Sequence, residues 1–193
     1  MDRRRLVVGV SGASGAALAT ELLRQLKEQL DVEVHLVYTK GAVLTLRQEL
    51  GCGPELWEPL ADRIYPNDDV GAALASGSFR TMGMVVAPCS MKTLAGIRSG
   101  YSDTLLLRAA DVTIKERRKL VLAVRETPLS PIHLRNMYEL SMMGAVILPP
   151  MLSYYQLPRS VEDCTRHIAG RLLDQFGLES GGFRRWIGME DEI

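Results

Sequence analysis

Aromatic side chains are scarce in this chain of 193 residues, with three Phe, six Tyr and two Trp making up 6% of the whole. Stacking platforms for single-stranded nucleic acid need more rings than that. Net charge is missing too: 23 Lys and Arg face 23 Asp and Glu, so no summed field draws in nucleic acid or an anionic membrane. Cysteine is sparse and odd in number, at Cys52, Cys89 and Cys164. That wide spacing suits neither a disulfide framework nor a zinc site, and it fits a reducing cytoplasm. No apolar run nears the length of a membrane span. The basic start Arg3-Arg4-Arg5 imitates a secretory leader. The apolar run behind it is only five residues long, with Glu21 and Arg24 following soon, so it reads as the flank of a first strand. Histidine is limited to His35 in a strand pattern, His133 at a helix start and His167 on the last helix, which leaves a Ser–His–Asp triad without a positioned base. No His/Asp/Glu pair has helical ligand spacing, so no metal is expected.

What is present is concentrated in LVVGVSGASGAALATELL, from Leu6 to Leu23. A short apolar run meets a loop with Gly9, Gly12 and Gly15, and a helical pattern follows at once. This predicts a strand, a tight turn and a helix whose N-terminus is open to an anion. Ser11 and Ser14 add hydroxyl donors. The spacing GxxGxxG is neither the dinucleotide fingerprint GxGxxG nor a Walker loop, which needs a Lys near the turn. Alone it signals the phosphate of a small ligand, or simply a Gly-rich connection in an α/β fold.

Strand patterns at 6–10, 32–38, 84–87, 120–124 and 145–148 are short, rich in Val, Leu and Ile, and continuous rather than alternating. Strands buried on both faces read this way. Helical patterns lie between and after them, at 16–30, 42–50, 92–99, 103–116, 132–143 and 161–176. The alternation predicts one α/β domain over residues 1–193, Rossmann-like, with a mostly parallel sheet and helices on both faces. Residues 51–80, interrupted by Pro54, Pro59, Pro66 and Gly71, are expected to form loops and short helices that cover a site. Ligands of such sheets sit beyond the carboxyl ends of the strands. There the chain offers GASG, Thr39-Lys40, Pro88-Cys89-Ser90-Met91-Lys92-Thr93, Arg125-Glu126-Thr127-Pro128, and Pro149-Pro150 followed by Tyr154-Tyr155. Small hydroxyls, cations, a carboxylate and Tyr at one edge suit a phosphorylated, partly aromatic ligand. Each also has a plain explanation, Ser90 and Thr93 as helix caps and Lys40 as a solvated charge. Cys89 between strand and helix is either a stabilised thiolate or, the reading preferred on composition, a small buried residue in a close turn. An excess of cations remains, at Arg108, Lys115, Arg117, Arg118, Arg125 and Arg171. The run Lys115-Glu116-Arg117-Arg118-Lys119 by itself reads as a solvated helix end.

Taken together, GVSGASG, SGSFRTMGMVVAPCSMKTLAGIRSGYSD, RAADVTIKERRKLVLAVRETPLSPIHLRNM, GAVILPPM-x-x-YY and the terminal LLDQFGL…RRW give the chain a resemblance to the flavin prenyltransferase family, UbiX-like and formerly described as aromatic acid decarboxylases. The resemblance runs from about Leu6 to Trp186, and PCSMKTLAGIR with KERRKLVLAVRE carries more of it than the glycine loop. It implies a flavodomain assembled as a homododecamer in the cytoplasm. Such an enzyme transfers a dimethylallyl group from dimethylallyl phosphate to reduced FMN, with bonds to flavin N5 and C6 closing a fourth ring and no metal involved. The prenylated FMN then serves a UbiD-type decarboxylase as its partner. Carried over by motif, Gly12, Ala13 and Ser14 contact FMN, Thr39 lies near its phosphate, and Ser90, Met91, Lys92, Thr93 and Arg125 complete the flavin site. Lys115, Glu126, Tyr155 and Arg171 hold dimethylallyl phosphate, with Arg108 reaching a neighbouring subunit's site. Glu49 falls where the family has a catalytic carboxylate, and with Ser14 it would relay the proton released on ring closure. Glu126 would protonate the leaving phosphate where its pKa is raised. Thr39 stands where the family often has Ser, and the aliphatic Val70 where some members have an aromatic. Three other readings stay open: a carrier subunit that stores flavin for an aromatic acid decarboxylase, an FMN-dependent cysteine-type decarboxylase, and direct decarboxylation of an aromatic acid by this chain. The helix expected at 16–30 lacks the His that a cysteine-type decarboxylase uses.

Overall fold

A computed structural model describes residues 4–29, 31–181, 185 and 188. Six strands form one all-parallel sheet in the order β3-β2-β1-β4-β5-β6. They are β1 (Arg4–Val10), β2 (Val32–Tyr38), β3 (Arg63–Tyr65), β4 (Gly83–Cys89), β5 (Lys119–Val124) and β6 (Val146–Ile147). The helices are α1 (Ala16–Lys27), α2 (Lys40–Leu50), α3 (Met91–Ser99), α4 (Leu105–Lys115), α5 (Pro131–Met142) and α6 (Val161–Asp174).

Continuous apolar strands follow from burial on both faces. Leu6, Val8 and Val10 of β1 enter a core with α1, α6 and the first half of α2, whereas Val7 faces the opposite core with Met84, Val86 and the inner sides of α3, α4 and α5. Residues 51–80 are largely irregular, as the prolines predict, with three short 3-10 turns. They also contain β3, which the sequence did not announce. Its three residues pair parallel to β2 from His35 to Val37, and a strand that short leaves no periodicity to read. The segment is anchored by Trp57, fully buried, whose indole N–H donates to Thr20 Oγ1 at 2.9 Å. The helix expected at 16–30 ends at Lys27. Position 30, Arg3, Trp186 of the terminal RRW motif and residues 189–193 lie outside the described residues.

The strand order reverses direction between β1 and β4, so the carboxyl ends of these two neighbours diverge into helices on opposite faces. In a doubly wound sheet that switch point is where a ligand crevice opens.

Candidate functional site

The strand ends at this edge are tied to one another by hydrogen bonds. Thr39 N–H donates to Val10 C=O at 3.0 Å, joining β2 to β1, and Arg125 N–H donates to Cys89 C=O at 3.0 Å, joining β5 to β4. Ser11 spans the switch point. Its hydroxyl donates to Pro88 C=O at 2.8 Å and accepts from Ser90 N–H at 2.8 Å. Ser11 is buried, so of the two hydroxyls expected as ligand donors it is spent inside the fold, and Ser14 alone is exposed. Ser90 caps α3, accepting from Thr93 N–H at 3.3 Å, and Thr39 caps α2, accepting from Ala42 N–H at 3.1 Å. The plain reading of Ser90 and Thr93 as a helix cap therefore holds, and it leaves Met91 and the exposed Lys92 in the first turn of α3.

The start of α1 departs from expectation. It has no side-chain cap of its own, yet it is not open: Glu49, from the last turn of α2, places its carboxylate there. Gly15 N–H donates to it at 3.0 Å and Ala16 N–H at 2.7 Å. A carboxylate at a helix N-terminus is favoured by the helix dipole and satisfies two otherwise orphaned donors. Thr45 of the same helix donates to Gly12 C=O at 3.1 Å. The loop and α2 approach so closely that a Cβ on Gly12 would stand 2.9 Å from the Gly41 backbone, and Gly15 takes a φ of 128° that side chains disfavour. The GASG loop is thereby fixed against α2, with Ser14 exposed and Glu49 bonded to the backbone that follows it.

Arg125 and Glu126 follow directly on β5. Glu126 is exposed and accepts from Thr127 N–H at 3.0 Å. Among the described residues Lys40, Lys92 and Arg125 make no side-chain ion pair, which leaves three cations at the carboxyl edge available to an anion. Tyr155 and Arg171 face a separate open pocket of about 570 Å³ beyond the end of β6, with His167, Leu148 and Pro149 in its wall. Arg171 also donates to Asp174 at 2.9 Å.

Arg108 and Lys115 are elsewhere. Both lie on α4, and Lys115 ends that helix just before β5 begins. Glu126 comes just after β5 ends, and a strand of six residues spans roughly 20 Å. Lys115 thus stands at the amino edge of the sheet and Glu126 at the carboxyl edge. One copy of the chain does not bring Lys115 together with Arg125 and Glu126. At the amino edge Lys115 pairs with Glu116, holding that carboxyl below its usual range. Arg118 clamps the preceding loop by donating to Gly77 C=O at 2.6 Å and Phe79 C=O at 2.8 Å. Arg108 donates to Ala75 C=O at 3.2 Å and pairs with Asp111 at 2.6 Å.

The remaining candidates for chemistry settle quickly. Cys89 is fully buried, and desolvation pushes its thiol up to about 12, so it is a packing residue as composition suggested. His35 is buried in β2, 2.9 Å from the Tyr65 hydroxyl, and burial lowers its pKa. His133 completes the capping box of α5 with Ser130. His167 lies on α6 one helical turn before Arg171 and lines the same pocket.

Comparison with known proteins decides the family. The sequence profile described as Flavoprotein matches residues 1–169. A probable UbiX-like flavin prenyltransferase from Streptomyces sp. (strain D7) is 52% identical over 185 residues, covering 96% of this chain and 92% of the relative. The chain belongs to the UbiX-like flavin prenyltransferase family. Within the family, a crystal structure of AnUbiX (PadA1) in complex with FMN and dimethylallyl pyrophosphate matches with a TM-score of 0.94 at 50% identity, covering 97% of this chain and 100% of that one. A dodecameric FMN-dependent UbiX-like decarboxylase from Escherichia coli O157:H7 matches with a TM-score of 0.93 at 52% identity, over 95% of this chain and 100% of the other. The resemblance drawn from PCSMKTLAGIR and KERRKLVLAVRE is thus borne out, as is the α/β flavodomain. The cysteine decarboxylase SpaF, at 22% identity and a TM-score of 0.61, shares the fold alone.

Proposed function

We propose that this flavin prenyltransferase, acting as one flavoprotein domain over residues 1–193, binds reduced FMN in the crevice between the ends of β1 and β4. There it would join a dimethylallyl group from dimethylallyl phosphate to the flavin, without a metal. The carrying observation is the composition of that crevice in a chain so close to named flavin prenyltransferases. The exposed Ser14 and the cations Lys40, Lys92 and Arg125, which make no side-chain ion pair among the described residues, follow the strands along the carboxyl edge that holds the switch point. These groups fit a flavin phosphate and its ribityl chain, with Gly12, Ala13 and Ser14 on one side and Ser90, Met91, Lys92 and Thr93 on the other. Thr39, capping α2, would sit near the phosphate. Bound reduced FMN supplies the nucleophilic ring atoms.

The chain's own residues do the rest. Loss of phosphate from an allylic carbon puts charge on oxygen, and donors fixed before the reaction stabilise it at little reorganisation cost. Tyr155 and Arg171 hold the phosphate from one copy. Lys115, on the far edge of its own sheet, and Arg108, earlier on the same helix, serve the corresponding site of a neighbouring copy. Arg125 and Glu126 lie at the carboxyl edge, where Glu126 can deliver a proton to the departing oxygen. Glu49 and Ser14, next to each other at the start of α1, accept and pass on the proton lost from the flavin ring. A homododecamer would allow this sharing, and the dodecameric relative supports that reading. No helix among the described residues is long and apolar enough to cross a membrane. A cytoplasmic enzyme handing prenylated FMN to a UbiD-type decarboxylase completes the reading.

The test is a mass spectrum of the flavin after anaerobic incubation with reduced FMN and dimethylallyl phosphate, without added metal. A flavin heavier by one C5H8 unit, its phosphate retained, is the expected product. Bound but unmodified FMN would favour a flavin carrier instead, and carbon dioxide released from a phenolic acid by flavin-free protein would overturn the assignment.

A further inference from the structure

One titratable group in the Tyr155–Arg171 pocket is left unused by the reaction as assigned. His167 lies one turn before Arg171 on α6, so the two side chains leave the same helix face. His167 also lines a second open pocket of about 630 Å³, which shares Ser153 with the first. Its imidazole therefore stands in the partition between the two. Among the described residues of one copy, these charged and titratable groups lie near it. Arg171 follows it on α6, and Asp163 and Arg166 precede it. Tyr155, in the turn at Tyr154–Gln156, lines the same pocket, and Glu21 of α1 reaches this region by way of Arg166, at 3.9 Å. Asp163 is engaged with Arg159 N–H at 3.0 Å and Arg166 at 3.7 Å. Burial first, and then the neighbouring Arg171 cation, hold the imidazole below its ordinary range.

We propose that His167 is a further residue of the donor-phosphate site, taking up a proton from solvent as the phosphate of the allyl donor seats against Arg171 and Tyr155 and binding it as a cation. This rests on the reading of the Tyr155–Arg171 pocket as the allyl phosphate site. The argument is one of charge. A phosphate monoester at pH 7.5 is mostly a dianion. Placed between the two side chains it cancels the repulsion from Arg171 and compensates the desolvation of an imidazolium, the two causes that lower the His167 pKa. An opposite charge at contact range raises a pKa by about 1–3 units, which favours the protonated imidazole. The site then gains a further donor only when phosphate is present. An empty pocket avoids two like charges one helical turn apart.

Calorimetry on FMN-loaded protein separates the possibilities. With the flavin oxidised no turnover occurs, and dimethylallyl phosphate is titrated at pH 7.5 in buffers of differing ionisation enthalpy. Wild type should take up roughly half to one proton per site on binding the donor, whereas His167→Gln should take up little. The same variant should bind the donor about 5–20-fold more weakly, the worth of one charge-assisted hydrogen bond, with FMN affinity unchanged. His167→Asn takes its place if the Gln variant loses FMN. Equal proton uptake in wild type and variant, or a donor affinity within about twofold, overturns the role of His167 and leaves the pocket assignment standing. If FMN-loaded wild type binds no dimethylallyl phosphate at all, the pocket assignment fails and this inference falls with it.

Discussion

Glu49 shows how much one side chain can be asked to do. Its carboxylate bonds Gly15 N–H and Ala16 N–H, fixing the start of α1, and in the proposed reaction it also accepts a proton. The two roles separate on amidation, because a Gln carbonyl oxygen still accepts from a backbone N–H but is no useful base. Glu49→Gln should retain FMN and melt within about 4 °C of wild type. Its yield of ring-closed flavin per unit time should fall about a hundredfold or more, the usual weight of a general base. Mass spectrometry of the flavin reads the second effect, and an unchanged yield removes Glu49 from the mechanism. Sequence reasoning found Glu49 only through its place in a family pattern. Its capping of α1 was invisible, because the donors it meets lie far away in the chain and the contact exists only once α2 folds back over the GASG loop. Ser11 failed for the same reason. Next to Ser14 in a glycine loop it looks like a second ligand donor, and only the pairing of β1 with β4 reveals that Pro88 and Ser90 consume it. Cys89 was legible, since a small residue closing an apolar strand is usually buried.

At the scale of elements, five of the six strands were legible because each is continuously apolar, four of them largely buried on both faces and the edge strand β6 half-buried. β3 was not, being three residues between prolines whose pairing partner is supplied by β2. The helices were legible from their period, with ends misplaced by one to three residues where fraying outlasts the pattern. What periodicity cannot give is how helices are fastened together. On one face α3 and α5 are joined by Glu139, which receives Arg98 from α3 and Arg135 from its own helix. These two guanidinium groups hold the Glu139 carboxyl down at about 2. A folded-state value below the unfolded one stabilises the fold above the unfolded pKa, and the contribution disappears as pH falls through the folded value. Arg98→Met should therefore lower the melting temperature at pH 7 by roughly 2–4 °C. The gap between variant and wild type should narrow as pH drops from about 4.5 towards 2. Thermal melts across that range check it, and a gap independent of pH would mean that Arg98 contributes through packing of its stem and not through charge.

The whole molecule carries a tension that no single chain resolves. Lys115 and Glu126 are close in sequence and both belong to the proposed donor site, yet β5 stands between them and sends them to opposite edges of the sheet. Strand direction, not sequence distance, sets this separation, which is why motif reading alone grouped residues that one copy keeps apart. The surface offers the means to reunite them. Leu134, Tyr138 and Met142 form an outward stripe along α5, and Met151, Leu157 and Val161 stand more than 70% exposed before and at the start of α6. Apolar side chains gathered in this way mark contact surfaces. In an assembly, Lys115 of one copy would then meet Tyr155 and Arg171 of another. That arrangement predicts complementation between dead variants. Lys115→Ala and Arg171→Ala should each lose prenyl transfer by about a hundredfold or more when assembled alone. Co-assembled in equal amounts, they should recover about a quarter of wild-type activity, because random pairing in a symmetric oligomer leaves about one site in four with both residues intact. Flavin mass spectrometry on co-expressed, doubly tagged assemblies measures the recovery. No recovery in verified mixed assemblies would place Lys115 and Arg171 in one chain's contribution to the site, or Lys115 outside the site altogether, and the division of labour between copies would have to be abandoned.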